Sequence, residues 1–177
     1  MSIFALDQIQ AQLPDALAER YTDRAGEVWG VIKPEHIKTV ATLLKERLGF
    51  RLFISMDAVD CLHLPPEQQE PRFEVVYFFK NVERNEHARL KVRVAEGADV
   101  PSIRAVFQGA NWAERLVWDF YGIGFAGHGD LRRMLTYEEF KGHPLRKDYP
   151  LRGRQPLIPE RPIRDIFRGP GTNGVQD

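Results

Sequence analysis

Two neighbouring β-forming runs, RFEVVYFFK at residues 72–80 and ARLKVRV at residues 88–94, constrain the fold of this chain most. The first run is rich in β-branched and aromatic residues, which favour strands. The second run alternates, with Leu90 and Val92 on one face and basic side chains on the other, as in a strand with one solvated face. The polar segment NVERNEH separates the two runs. The pattern therefore predicts an antiparallel β-hairpin.

Helical and strand patterns precede this hairpin along the chain. Residues 3–20 predict a short amphipathic helix that is interrupted near Pro14, and VWGVI at residues 28–32 predicts a strand. Apolar residues then recur at helical spacing between Pro34, which suits a first helical turn, and Gly49, which ends the helix. The segment RLFISMDAV predicts a further strand before the hairpin begins.

Helices mixed with antiparallel strands predict an α+β fold, a two-layer domain of helices on a mixed, mainly antiparallel sheet. We assign this domain to residues 1–127. From His128 onward, short apolar segments are separated by glycine and proline, so there are too few apolar residues to form a separate hydrophobic core. Residues 128–177 are therefore expected to form an extended C-terminal docking arm whose backbone polar groups need water or a partner.

Charge and cysteine content restrict the classes of function. The 177-residue chain is neutral overall, but residues 132–168 carry ten Lys/Arg against five Asp/Glu, which indicates an acidic partner for the arm. The single cysteine, Cys61, excludes a disulfide within the chain and is too few for an iron–sulfur cluster. No stretch has the length of a signal-peptide core or the ~20 apolar residues of a membrane span, so a soluble or peripheral protein is expected.

Three motifs near the arm allow alternative interpretations. GIGFAG at residues 122–127 has dinucleotide-binding spacing, but a predicted helix precedes it, so a helix stop followed by a tight turn is favoured. His128, Asp130 and His143 could ligate the metal of a small hydrolase, although their loose spacing fits ordinary hydrogen bonding better. The basic tail could bind nucleic acid, but its charges alternate with acids and no recognition element is present.

The segment NWAERLVWDFYG, residues 111–122, predicts an amphipathic helix. Asn111 as N-cap and Glu114 three residues later predict a capping box, and Gly122 ends the helix. At about 100° per residue, the apolar side chains fill one contiguous half of the helical wheel, with Leu116 in the middle of that half. The other half is charged.

Trp118 lies in the middle of the charged half, together with Glu114, Arg115 and Asp119. A tryptophan is expected to be covered there, either by the arm folding back or by another protein. Asp119 lies near the helix C-terminus, where a negative charge is disfavoured by ~0.3–1 kcal/mol, so it is expected to have a cationic partner. Arg115 and the arginines of the arm are the candidates.

Residues 114–151, ERLVWDFYGIGFAGHGDLRRMLTYEEFKGHPLRKDYPL, resemble the signature of the C-type (30 kDa-type) subunit family of respiratory complex I, the proton-pumping NADH:quinone oxidoreductase. The first part of the signature is matched by Glu114, Arg115, Asp119, Phe120, Tyr121, His128, Asp130, Leu131, Arg132 and Arg133. The later Gly-His-Pro-hydrophobic-Arg-Lys-Asp run is matched by Gly142, His143, Pro144, Leu145, Arg146, Lys147 and Asp148.

Two positions depart from the family pattern. Leu116 stands where the family usually has a third acid, and Gly129 stands where a proline usually follows the histidine. The first change is expected to improve helix packing at the loss of an ionic contact. The second is expected to loosen the turn.

The resemblance implies a subunit with no catalytic residue, no cofactor and no metal of its own. NAD, FMN, iron–sulfur clusters and quinone then belong to other subunits, and the chain lies peripherally on the cytoplasmic side of the cell (inner) membrane. Its implied partners are the quinone-site subunit (D type) and other hydrophilic-arm subunits, with no nucleic acid. The implied partner-interface residues are Glu114, Arg115, Trp118, Asp119, His128, Asp130, Arg132, Arg133, His143, Arg146, Lys147 and Asp148.

Overall fold

A five-stranded sheet carries three α-helices in the computed structural model, which describes residues 3–66, 69–153 and 155–156, and a short 3-10 helix (Pro34–His36) precedes the second of them. The helices are α1 (Ile3–Gln12), α2 (Ile37–Glu46) and α3 (Ala110–Tyr121). The strands are β1 (Leu17–Thr22), β2 (Val28–Ile32), β3 (Leu52–Asp60), β4 (Phe73–Asn81), β5 (Glu86–Val94), β6 (Asp99–Pro101) and β7 (Gly124–Ala126). Strands β6 and β7 form a separate parallel pair.

The predicted hairpin is confirmed as β4 and β5, which pair antiparallel along their whole length at the centre of the sheet order β1-β2-β5-β4-β3. Strand β2 joins β5 in parallel, and the other neighbouring strands of this sheet are antiparallel. In the hairpin, Tyr77 lies opposite Leu90 and Val75 opposite Val92, and all four side chains are fully buried. The sheet is therefore mixed and mainly antiparallel, as the sequence predicts.

All three helices contribute side chains to the hydrophobic cluster that contains Tyr77 and Leu90. Examples are Leu6 of α1, Leu44 of α2 and Val117 of α3, which are buried together with the inward residues of the sheet. The periodicity of the helical segments and the alternation of β5 thus belong to a single core. The predicted α+β class with helices layered on a sheet is confirmed.

The prediction of a helix over residues 3–20 is wrong in its second half, because α1 ends at Gln12 and the chain enters edge strand β1 at Leu17. Pro14 lacks the N–H that would continue the helix. After this break, β1 pairs with β2 through a turn in which the Asp23 carboxylate accepts hydrogen bonds from the amides of Ala25 and Glu27. The strand exists because β2 lies beside it, and local periodicity does not report such pairing.

The chain beyond β7 contains no helix or strand among its described residues, which end at Pro156. This segment, residues 128–156, is called the arm below. It runs along α3 and returns to the end of β3, where the backbone amide of Lys147 donates to Asp60 at 2.8 Å. The division of the chain at residue 127 stays a prediction, and residues 157–177 lie outside the described residues.

Gly30 of β2 provides a test of how tightly α1 is packed on the sheet. A Cβ atom at this position would lie 2.4 Å from Leu6 Cδ2 and 3.3 Å from Leu90 Cδ2, and both leucines are fully buried. We expect Gly30→Ala to lower the free energy of unfolding by about 1–3 kcal/mol, measured by chemical denaturation. Gly109→Ala is the control, because its Cβ would meet only Phe53 at 3.6 Å. Equal stability of both variants would show that α1 is free to shift.

Candidate partner interface

Helix α3 divides its surface differently from the predicted halves. Glu114, Arg115 and Asp119 of the charged half are buried, whereas Trp112 of the apolar half is 59% exposed. Leu116, which is four residues beyond Trp112 on the same side, is half-buried. The helix therefore places charge inside the chain and an apolar stripe toward its surface.

Asp119 joins α3 to the arm through a fully buried carboxylate. Its Oδ2 atom accepts hydrogen bonds from three consecutive backbone amides, those of Met134, Leu135 and Thr136, at 3.1, 2.9 and 3.0 Å. Its Oδ1 atom accepts from the Arg133 guanidinium at 2.9 Å and from the Thr136 hydroxyl. Successive N–H groups converging on one oxygen form an anion-binding concavity, and here the anion belongs to the same chain.

The protonation of Asp119 follows from these donors. Burial by itself would raise the pKa of Asp119, because the interior solvates a charged carboxylate poorly. The hydrogen bonds from Thr136 and Arg133 outweigh burial and hold the pKa of Asp119 well below its ordinary value of 3.8. The buried carboxylate is therefore ionised at neutral pH, and the arm supplies the compensation.

Two further side chains of the charged half lie against the arm. Arg115 donates to the backbone carbonyls of Arg132 and Arg133 at 3.3 and 3.0 Å. The half-buried ring of Trp118 has the Arg133 guanidinium 5.6 Å from its centroid and the His143 ring 6.2 Å away in an edge-on arrangement. The sequence allows Trp118 to be covered either by the arm or by another protein, and in the structure the arm lies against its ring.

Gly122 ends α3 and makes room for the arm. It adopts a left-handed conformation with φ of 77°, and a Cβ atom there would lie 2.7 Å from the His143 ring. His143 Nδ1 donates to the Asp119 carbonyl at 3.0 Å. The helix stop predicted within GIGFAG is confirmed, but a tight turn does not follow it directly, because short strand β7 lies between Gly122 and Gly127.

The predicted capping box at the start of α3 is wrong. The helix begins two residues earlier than expected, with Gly109 rather than Asn111 at the N-cap position and no side-chain cap, so Asn111 lies within the first turn. The Glu114 carboxylate instead accepts from the Ser102 hydroxyl at 2.6 Å and from the Ile103 amide at 2.8 Å. Burial raises the pKa of Glu114 above its ordinary range, although these two hydrogen bonds oppose the shift.

His128 packs beside Glu114, with its Nε2 atom 3.8 Å from a carboxylate oxygen. Nδ1 accepts from the Asp130 amide at 3.2 Å, so Nε2 carries the ring hydrogen of the neutral imidazole and donates to the Asn111 carbonyl at 3.2 Å. Gly129 between them has φ of 80°, which proline cannot adopt. This departure from the family pattern therefore defines a turn rather than merely loosening it.

A second buried carboxylate, Asp60 at the end of β3, holds the distal part of the arm. Arg72 binds both of its oxygens, at 3.1 and 2.9 Å, and reaches Glu96 at 2.8 Å and Asp148 of the arm at 2.9 Å. The backbone amides of Lys147 and Leu62 also donate to Asp60. Burial would raise the pKa of Asp60, but these donors hold it below the ordinary range.

Arg146 reinforces the same cluster from the arm. Its guanidinium pairs with Asp148 at 3.2 Å and with Glu96, and lies 5.5 Å from the ring centroid of Phe73. The pKa of Asp148 is lowered by its hydrogen bonds to Arg72 and Arg146. The Arg-Lys-Asp end of the signature thus binds the sheet of its own chain.

Among the twelve residues predicted at a partner interface, the exposed ones are Asp130, Arg132, Lys147 and Asp148. Arg132 pairs with Asp130 at 3.1 Å in an open position. The sequence interpretation missed the large apolar side chains that α3 and the arm leave exposed. They are Trp112, Leu135, Leu145 and Leu151.

The metal-site alternative has no support. In residues 3–66, 69–153 and 155–156, no group of three or more His, Cys, Asp or Glu side chains could hold a metal ion. The rings of His128 and His143 are instead hydrogen-bonded to backbone groups on different parts of α3. No described helix has the length and apolarity needed to cross a membrane.

Comparison with protein families gives a match over most of the chain. A family model described as "Respiratory-chain NADH dehydrogenase, 30 Kd subunit" matches residues 31–155. The C subunit of NADH-quinone oxidoreductase from Methylobacterium sp. (strain 4-46) is 42% identical over 154 residues, which cover 84% of this chain and 69% of that protein. The C 2 subunit of NADH-quinone oxidoreductase from Rhizobium etli (strain CIAT 652) is 36% identical over 173 residues, which cover 91% of this chain and 90% of that protein.

Solved structures share the fold. The trypsin-resistant fragment of Nqo5 superposes with a TM-score of 0.63 at 25% identity, covering 72% of this chain and 99% of the fragment. A chain of the membrane-bound sulfane sulfur reductase, an archaeal respiratory membrane complex, gives a TM-score of 0.65 at 26% identity. The match covers 84% of this chain and 85% of the reductase chain. The family match extends from β2 to the last described residues of the arm.

Removing Arg72 tests the second attachment of the arm. Arg72→Ala leaves the Asp60 carboxylate buried without its cation, and breaking such a pair lowers the free energy of unfolding by about 3 kcal/mol or more. The matched control is Arg20→Ala, whose pair with Asp7 is exposed and contributes about 1 kcal/mol or less. Denaturant unfolding of both variants measures the difference, and equal losses would mean that the Asp60 site is effectively solvated.

Acid titration tests the environment of Asp119. Because its pKa is lower in the folded chain than in the unfolded chain, the folded state binds fewer protons. The stability that ionised Asp119 adds to the folded chain is complete above the ordinary carboxyl pKa of 3.8, and it is lost as the pH falls below that value. Asp119→Asn should therefore flatten the decline of the melting temperature between about pH 4 and pH 2. Leu135→Ala, which keeps the carboxylate, should retain the wild-type slope.

Proposed function

The chain belongs to the family of respiratory-chain NADH dehydrogenase 30 Kd subunits, and we propose that it is a non-catalytic structural subunit of a proton-translocating NADH:quinone oxidoreductase. In this proposal it docks on the quinone-site subunit, which is of the D type, and contacts other hydrophilic-arm subunits. It lies peripherally on the cytoplasmic side of the cell inner membrane. The names of the relatives, which are C subunits of NADH-quinone oxidoreductase, support membership of such a complex.

The observation that carries the docking role is the apolar surface beside the arm. Trp112 and Leu135 are 59% and 66% exposed, and Leu145 of the same arm is 46% exposed. Leu145 donates its backbone amide to the Phe120 carbonyl, which places it at the C-terminal end of α3. Large exposed apolar side chains near one helix, with a polar rim that includes Arg132, are the composition of an interface between proteins.

A non-catalytic role is supported by how the reactive groups are used. The carboxylates of Glu114 and Asp119 accept several internal hydrogen bonds, and the rings of His128 and His143 bind backbone groups. A general acid or base must instead reach the proton it transfers. In this proposal NAD, FMN, the iron–sulfur clusters and quinone are held by other subunits of the complex.

The anchor of the docking surface is Trp112 in this proposal. Trp112→Ala should weaken association with the quinone-site subunit by about 2 kcal/mol, or roughly 30-fold, because it removes an exposed aromatic anchor. Trp118→Ala should mainly lower the melting temperature, since the arm covers that ring. Binding of the purified full chain to the purified quinone-site subunit would be measured by calorimetry.

Val82→Ala is the control for this experiment. Val82 is 65% exposed on the turn between β4 and β5, outside the arm and α3. The Val82→Ala variant should keep the wild-type affinity for the quinone-site subunit and the wild-type melting temperature. Wild-type affinity of the Trp112 variant, or equal weakening by the Val82 variant, would contradict docking through this surface.

A further inference from the structure

We propose that Asp119 is a positioning residue for docking, because it holds residues 134–136 of the arm in the shape that presents Leu135 to the partner. This inference rests on the proposed docking function for the identity of the partner. It adds that the docking surface is formed within the chain before the partner binds. Leu135 is then an anchor whose orientation depends on a carboxylate buried beneath it.

The geometry at Asp119 fixes the backbone on both sides of Leu135. One oxygen, Oδ2, accepts the amides of Met134, Leu135 and Thr136, all between 2.9 and 3.1 Å. Three consecutive N–H vectors can converge on one atom only if the backbone curls around it. The carboxylate therefore lies on the concave side of the loop.

The same curl determines where the side chains go. Leu135, in the middle of the loop, is 66% exposed, whereas Met134 and Thr136 on either side are half-buried. A large apolar side chain in water gains nothing for the isolated chain, and a flexible loop could turn it inward. The hydrogen bonds to Asp119 prevent that rearrangement and keep the leucine outside.

A fixed anchor has a consequence for affinity. Ordering a flexible loop on binding opposes association, and an anchor already held in its bound orientation avoids that loss. A partner with an apolar pocket therefore meets Leu135 already in place. Arg115 connects the arm to Trp112, because it donates to the Arg132 carbonyl and its guanidinium lies 5.1 Å from the centroid of the indole ring. The preformed surface combines helix and arm.

The alternative is that Asp119 stabilises the chain and has no influence on docking. Both roles predict a lower melting temperature for Asp119→Asn, so stability alone does not distinguish them. The asparagine side chain has nearly the same size but only one acceptor oxygen, and it cannot serve three amides, Thr136 and Arg133 together. Asp130→Asn is the matched control, because its carboxylate is exposed and pairs only with exposed Arg132 in the described contacts.

Amide hydrogen exchange on the full, isolated chain tests the positioning directly. We expect the amides of residues 134–136 to be protected in the wild type and in Asp130→Asn, and to lose at least about tenfold of their protection in Asp119→Asn. Unprotected amides in the folded wild type would overturn the proposal, and so would unchanged protection in Asp119→Asn. Should that variant fail to fold, Thr136→Val, which removes only the hydroxyl donor, must show a smaller loss at the same amides.

A double-mutant cycle with the purified quinone-site subunit as probe tests the link to Leu135. We expect Asp119→Asn and Leu135→Ala each to weaken binding about tenfold, and the double variant about tenfold rather than a hundredfold, because one effect acts through the other. Additive losses would overturn the positioning role. Absence of binding by the wild type would contradict the proposed function, while the exchange result would still decide whether Asp119 shapes the loop.

Discussion

The carboxylate of Asp119 is the contact on which the organisation of the site depends. It lies near the C-terminus of α3, where the helix dipole disfavours a negative charge by about 0.3–1 kcal/mol, and it is fully buried. Hydrogen bonds from a guanidinium, a hydroxyl and three amides offset both penalties. Because all five donors come from the arm, the helix and the arm require each other: neither the buried charge nor the curled loop is satisfied alone.

Asp60 repeats this arrangement at the other end of the arm. It too is a buried carboxylate that accepts a backbone amide of the arm, from Lys147, together with a guanidinium. A segment without helices or strands is therefore ordered by two anionic sites on the body of the chain. The basic excess of the arm, which suggested an acidic partner, is partly neutralised within the molecule, because Arg146 pairs with Glu96 and Arg133 pairs with Asp119.

The fold was largely predictable from local patterns, and the site was not. The β4–β5 hairpin, α2 and α3 follow from alternation, helical periodicity and the glycine stops at residues 49 and 122. Strand β1 was missed because an edge strand depends on its neighbour. Ser102 donates to Glu114 and Arg72 pairs with Asp148 across separations at which spacing in the sequence carries no information. The helical wheel correctly grouped the charged residues but could not show that an arm would bury them.

The burial of the charged half changes what the signature means in physical terms. Its buried acids and both histidines bind groups of the same chain, and the side of α3 that stays exposed at Trp112 is apolar. Leu116, where the family pattern usually has an acid, is half-buried between exposed Trp112 and half-buried Phe120 at successive four-residue steps, which lie on one side of a helix. An acid there would place a charge in this stripe, whereas leucine extends it. In the proposed docking, association through this helix should therefore depend more on apolar burial than on ion pairs, and burial is not weakened by salt screening.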